Sequence, residues 1–355
     1  MRWLKGKTWR GLQADERGAS SIVVALMMIA LLGFAAISID VGKLYWEKAQ
    51  LQNGADAGAL ALASICGMNE SDDRCTSSSS SVANSLPNNY AENNSHDGKS
   101  LASSTVLKDL NTATVNTSAL ETGAEEGNIA TWFVRNSNYS KVVATATAAW
   151  GPPGGLSTKF PLAFSQCEID SSPTFDGSLQ FLQSHGVGDT KAPDACHSTS
   201  SGHEIPGGFG WLSQEPAGSC SVDTVIAGWE LTDTGNDFKA GCETILAKWK
   251  ADLVAGKPVI VLLPVFNDVK GTGAGGQFKI YAYAAIDIRG WHFKNGDSLL
   301  DFQLPEATKV IKDGGYKNSD LGFVGKFIRY VFDDEDAEYG GGGVDYGANI
   351  TQLIN

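Results

Sequence analysis

The chain has 355 residues, 42% of them hydrophobic, enough for a packed core beside any membrane segment. Its 40 acidic residues outnumber 27 basic ones for a formal net charge of −13, so the cationic excess that neutralises phosphates is missing and nucleic acid is excluded as a partner. The charge is also uneven. Residues 1–18 carry Arg2, Lys5, Lys7, Arg10 and Arg17 against only Asp15 and Glu16, a local excess of about +3 that leaves about −16 for the rest.

A basic stub followed by an acidic body is the charge pattern of a single-pass protein whose N-terminus stays in the cytoplasm. Between the two, Ile22 to Ile39 reads IVVALMMIALLGFAAISI without a charge. Counted from Ala19, the run is roughly 30 Å of helix, about one bilayer core. A cleaved signal peptide needs a shorter apolar core and then a change of composition. Here the helical pattern continues from Asp40 to Ala63, with Tyr45 and Trp46 just past the span, where interfacial aromatics are favoured. The lipid bilayer is thus the first expected partner.

Leu44, Leu51, Ala55, Gly58 and Leu62 recur at steps of seven, four, three and four and share one helical face. Small residues crowd this half of the helix and permit close approach. Either the body of the protein covers the face, or a helix of another protein does.

These residues also carry a resemblance. Arg17-Gly18, an apolar span, Asp40-Val-Gly42-Lys-Leu-Tyr, then Leu51-Gln-Asn-Gly-Ala55-Asp56-Ala-Gly58-Ala-Leu-Ala is similar to the N-terminal region of TadG-like and TadE-like proteins of Flp (Tad) pilus systems. The likeness covers about 50 residues, with Gly54 and Gly58 in place of alanines. It implies a membrane-anchored accessory protein of pilus assembly, not an enzyme, whose partners are other pilus-assembly or envelope membrane proteins. Type IV prepilins are cut after a glycine and usually carry glutamate five residues on. Cutting after Gly18 would put Val23 there, which argues against that processing.

All six cysteines follow the apolar run, and an even count in an exported body reads as disulfides. No C-x-x-C occurs. Cys66 and Cys75 flank the end of the predicted helix, where a short loop closes easily. Residues 67–104 form a Ser/Asn-rich connection, read as flexible from Ser71 to Ser100. Residues 105–150 turn to strands, at Thr112 to Asn116, Ile129 to Val134 and Val142 to Ala148, by alternation of threonine and valine. Gly151-Pro-Pro-Gly-Gly155 then breaks the chain.

Residues 151–355 read as a β-rich extracellular domain. Its clearest strands are Lys257 to Phe266 and Phe278 to Arg289, joined by a glycine-rich loop, with another at Lys326 to Phe332. Short helices are expected at Thr244 to Leu253 and Leu179 to Ser184. The expected class is α+β: a stub (1–18), a transmembrane helix with its extension (19–66), the connection, and a disulfide-containing β-rich body. Pro161 to Cys167, Pro206 to Leu212, Gly241-Cys242 and the Val259 to Arg289 strand pair resemble, more loosely, C-terminal regions of actinobacterial Tad-like proteins. That likeness implies the pairs Cys167–Cys196 and Cys220–Cys242.

Motifs for chemistry are weak. Gly271-Thr-Gly-Ala-Gly-Gly276 matches G-x-G-x-x-G, but a strand follows where a dinucleotide site needs a helix. Asp170-Ser-Ser-Pro-Thr174 has the form of a metal-dependent adhesion site, yet the alternating strands and helices of that domain are lacking. His203-Glu204 is stopped by Ile205-Pro-Gly, so no zinc helix forms; His185 and His197 are read as surface residues. No G-x-S-x-G elbow is present. Trp211, Trp229 and Trp291 are read as core, with a glycan-binding adhesin as the alternative function. No cofactor and no metal are expected.

Overall fold

The computed structural model describes residues 19–76, 80–120, 126–133, 140–170, 177–183, 209–233, 238–271, 275–317, 319–332, 337–340 and 343–354. Together they form an α+β protein with one long N-terminal helix and a β-rich body of mixed sheets. Two compact units are present. The first takes residues up to Gly58, Asn84–Ser104 and Val115–Ala146; the second takes Ala59–Ala83, Thr105–Thr114 and Thr147 onward.

The helix Ala19–Met68 runs 50 residues without a break, about 75 Å at the standard rise. Its first 20 residues are hydrophobic all round, and the most apolar 18-residue window has no buried residue. By length and composition it is a candidate membrane span.

In the first unit, the helix Ser85–Asn94 lies against the long helix. It occupies a stretch read from sequence as flexible, and two shorter helices of the second unit, Asp73–Thr76 and Ser80–Ala83, occupy more of it. The serines and asparagines that suggest a linker have structural partners here. Asn84 Oδ1 accepts from the Ser104 N–H at 2.7 Å and Asn88 Oδ1 from the Ala102 N–H at 2.6 Å. A four-residue step on the helical side thus meets a two-residue step on the strand Ser100–Leu107. That strand is the outermost of its sheet, next to Thr112–Ala119 and then Val143–Gly151.

In the second unit, Val259–Lys270 and Gln277–His292 form a long antiparallel hairpin, in register from Val259 opposite Ile288 to Lys270 opposite Gln277. The glycine-rich loop is therefore a hairpin connection; its centre, 272–274, lies outside the described residues. Gly322–Phe327 and then Gln180–Gln183 extend the sheet on one side, Leu162–Ser165 and Phe209–Trp211 on the other. The core beneath it is aromatic: Phe160 lies 5.3 Å from Trp211 and 4.9 Å from Trp249, and Phe293 meets Phe323 edge-on at 4.8 Å. The helix Glu243–Val254 supplies Leu246 and Leu253 to the same core.

Three local expectations need correction. Leu179 to Ser184, expected as a helix, holds the strand Gln180–Gln183, because pairing with Gly322–Phe327 overrides a weak helical pattern. Lys326 to Phe332 is not one strand: Gly322–Phe327 and Tyr330–Phe332 belong to different sheets, and the Ile328 N–H turns to Ala285 O between them. Of Ile129 to Val134, Ile129 ends the short strand Asn128–Ile129 and residues 130–133 are not strand, while Val134 lies outside the described residues. Gly151 to Gly155 passes almost directly from the strand Val143–Gly151 into Pro153–Thr158.

Among the described residues two disulfides form, Cys66–Cys75 and Cys220–Cys242. The first closes nine residues at the end of the long helix. Inside that loop, Arg74 grips Asp72 through two 2.8 Å hydrogen bonds and holds its carboxyl down at about 2. The expected pair Cys167–Cys196 falls outside the described residues, since Cys196 is not among them; Cys167 itself is buried.

Candidate functional site

The residues singled out from sequence lie along the long helix. Gly18 falls outside the described residues. Asp40 is the first charge after the apolar run and is only 2% exposed. A carboxylate at the end of a hydrophobic span must find donors or be hydrated. It finds two: the Trp132 N–H donates to Oδ1 at 2.8 Å and the Phe133 N–H to Oδ2 at 2.9 Å. One turn on, Lys43 Nζ donates to Ala130 O at 2.8 Å and stands 5.7 Å from the Trp132 ring centre. This clamp turns the chain where the sequence pattern suggests a longer strand.

Leu44 packs against a cluster of Leu51, Ala119, Ile129, Val142 and Ala144. Leu51, Ala55, Gly58 and Leu62 are all buried. Thr117 Oγ1 donates to Leu51 O at 2.8 Å, and Gln52 Nε2 donates to Asp56 Oδ1 at 2.8 Å and Thr145 O at 3.3 Å. Of the two coverings expected for this face, the protein's own body supplies the one seen. The two glycines differ in how much they matter. A Cβ on Gly54 would come within 3.0 Å of the Ala91 Cα, tighter than backbone normally allows, whereas on Gly58 it would meet Pro87 and Val115 no closer than 3.5 Å. A Cβ on Gly42 would meet nothing within 4 Å, so nothing in the fold explains glycine there.

Elsewhere the geometry offers little chemistry. Trp211 and Trp291 are interior, and Trp229 is half-buried beneath Lys270 Nζ, 3.8 Å from its ring centre. His292 meets Asp301 at 2.8 Å, but the two are opposite each other across adjacent strands, so the pair fastens the sheet. Among the described residues no group of three His, Cys, Asp or Glu could hold a metal. His185, His197 and His203 and most of the Asp170 motif lie outside them. A cavity of about 320 Å³ in the second unit is walled by Leu156, Phe160, Ile245, Trp249, Val261 and Phe332, with Lys159 and Lys248 as its charged lining.

Sequence reasoning missed the Trp132–Phe133 clamp. Only the isolated Asp40 at the end of an uncharged run signals a need for donors, and nothing in the sequence says which segment supplies them.

Residues 18–64 match the Tad family model, Flp pilus-assembly TadE/G-like. No curated protein and no solved structure matches the chain. The matched stretch takes in the apolar span, Asp40 and the packed face through Leu62, and it makes this a protein related to Flp pilus assembly.

Proposed function

We propose that the protein is a membrane-anchored accessory component of a Tad/Flp pilus or a related surface apparatus. In this reading residues 1 to about 18 are cytoplasmic, the apolar helix crosses the plasma membrane once, and the body after about residue 40 is extracellular. The observation that carries it is a coincidence of positions: the Tad-type stretch begins where the apolar run begins and ends within the packed part of the same helix. The +3 stub and acidic remainder favour that orientation.

The mechanism is packing, without chemistry. Since the face from Leu51 to Leu62 is buried within the chain, contacts with other pilus or envelope proteins must use other surfaces: the exposed span, or the body. A glycan-binding adhesin is the competing reading. The tryptophans it would use are interior or half-buried.

Protease digestion of intact spheroplasts expressing a C-terminally tagged chain tests the topology. The tag should disappear without lysis; a protected tag rules the orientation out. Deleting the gene should abolish or thin the surface pili seen by electron microscopy, with recovery on complementation. Normal piliation in the deletion strain would refute the assembly role.

A further inference from the structure

Trp132 and Phe133 are 71% and 55% exposed, although each is large and apolar and their backbone is firmly held by Asp40. Exposed aromatics on a fixed loop call for a surface that wants them. Their height along the long helix is set by the same two hydrogen bonds, because Asp40 directly follows Ile39, the last residue of the apolar run. Tyr45 and Trp46, 74% and 65% exposed, come five and six residues later, about 8 Å further along the axis. The polar boundary of a bilayer leaflet is on the order of 6 Å deep. With the end of the apolar run set at the hydrocarbon edge, Trp132 and Phe133 fall at the inner edge of this boundary and Tyr45 and Trp46 near its outer one.

We propose that Ala130–Phe133 is a second membrane contact: Trp132 and Phe133 insert into the boundary of the leaflet from which the helix emerges. Asp40 is the positioning residue for this contact. The proposal rests on the anchor reading above and adds that the body is seated on the bilayer as well as tethered to it. Several features suit this occupant. The loop continues the apolar surface of the span, tryptophan is the side chain most favoured at a lipid boundary, and Lys43 beside it can place its charge at headgroup level. The clamp also explains why a carboxylate is tolerated so close to hydrocarbon. Its two oxygens each have a charge-assisted N–H partner, so it need not draw water into the boundary.

The test uses the full chain in phosphatidylcholine liposomes containing nitroxide lipids, with a fluorophore on one introduced cysteine. The described cysteines are all in disulfides, which leaves the new thiol free to label. Three sites are compared: Ile29→Cys in the span, Phe133→Cys in the loop, and Asn53→Cys, exposed on the same helix well beyond Asp40. Ile29 should be quenched best by deep nitroxides. Phe133 should be quenched best by shallow ones, at least about threefold more than Asn53. Adding Asp40→Asn, which removes one acceptor oxygen, should reduce quenching at Phe133 about twofold or more while leaving Ile29 unchanged. If Ile29 is quenched and Phe133 behaves like Asn53, the second contact is overturned while the anchor stands. If Ile29 is not quenched, the anchor reading fails first. Unchanged quenching at Phe133 in the Asp40→Asn background overturns the role given to Asp40.

Discussion

Two lengths of one helix, Ser20–Ile39 and Asp40–Met68, share the same backbone and meet opposite surroundings. The first exposes Ile22, Leu26, Met27, Leu31, Leu32 and Phe34 on every side. The second buries Ala55, Ala59 and Ala63 completely, together with Leu51 and Leu62. The first length leaves its apolar residues outside, large and small alike, while the second packs Leu51 and Leu62 among buried alanines. In water that arrangement would leave an apolar surface far beyond what a monomer carries. It makes sense when the first length faces lipid and the small residues of the second let strands and a second helix approach closely. Surroundings, more than hydrophobicity, separate the two lengths.

That comparison breaks most readily at Ala55. Its side chain is fully buried, so Ala55→Arg must displace packing and bury a charge, at about 4 kcal/mol or more. The full chain in detergent micelles should lose its cooperative thermal transition or fail to fold. A variant that melts like the parent would show that the face is not buried in the chain itself.

Leucine truncation sharpens the contrast in pairs. Leu51→Ala should cost about 2–5 kcal/mol through the cavity it leaves. Leu32→Ala, in the exposed length, should change the denaturant midpoint by less than about 0.5 kcal/mol-equivalent. Equal losses at the two sites would remove the distinction drawn here.

The smallest effect separates two glycines one helical turn apart. Gly54→Ala gains helix propensity but pushes against the Ala91 backbone, and should destabilise by about 1–2 kcal/mol. Gly58→Ala has room and should stabilise by up to about 1 kcal/mol. Chemical denaturation of the two variants side by side decides it, and the opposite order would mean the helices are not in this register.

What the sequence made legible was periodic or local. The uncharged run, the helical face from Leu44 to Leu62 and the threonine–valine alternation at Thr112 and Val142 each follow a pattern that physics fixes, and each corresponds to a real element. Cys66–Cys75 was readable because so few residues separate the pair. What stayed hidden depends on distant segments. Nothing in Ser85–Asn94 says helix until Asn84 and Asn88 meet Ala102 and Ser104. Gln180–Gln183 becomes a strand only because Gly322–Phe327 offers it an edge. At the candidate site the helical residues were legible, but their coverings were not: Asp40 finds its donors 92 and 93 residues away.

The asparagine contacts with Ser100–Leu107 have a consequence for life at a crowded surface. An outermost strand is a template on which the next chain can add. Two of the N–H groups that would recruit such a chain are already occupied by side-chain amides. Copies of this chain can then lie close together without joining along this edge, so high local concentration need not become sheet-to-sheet aggregation.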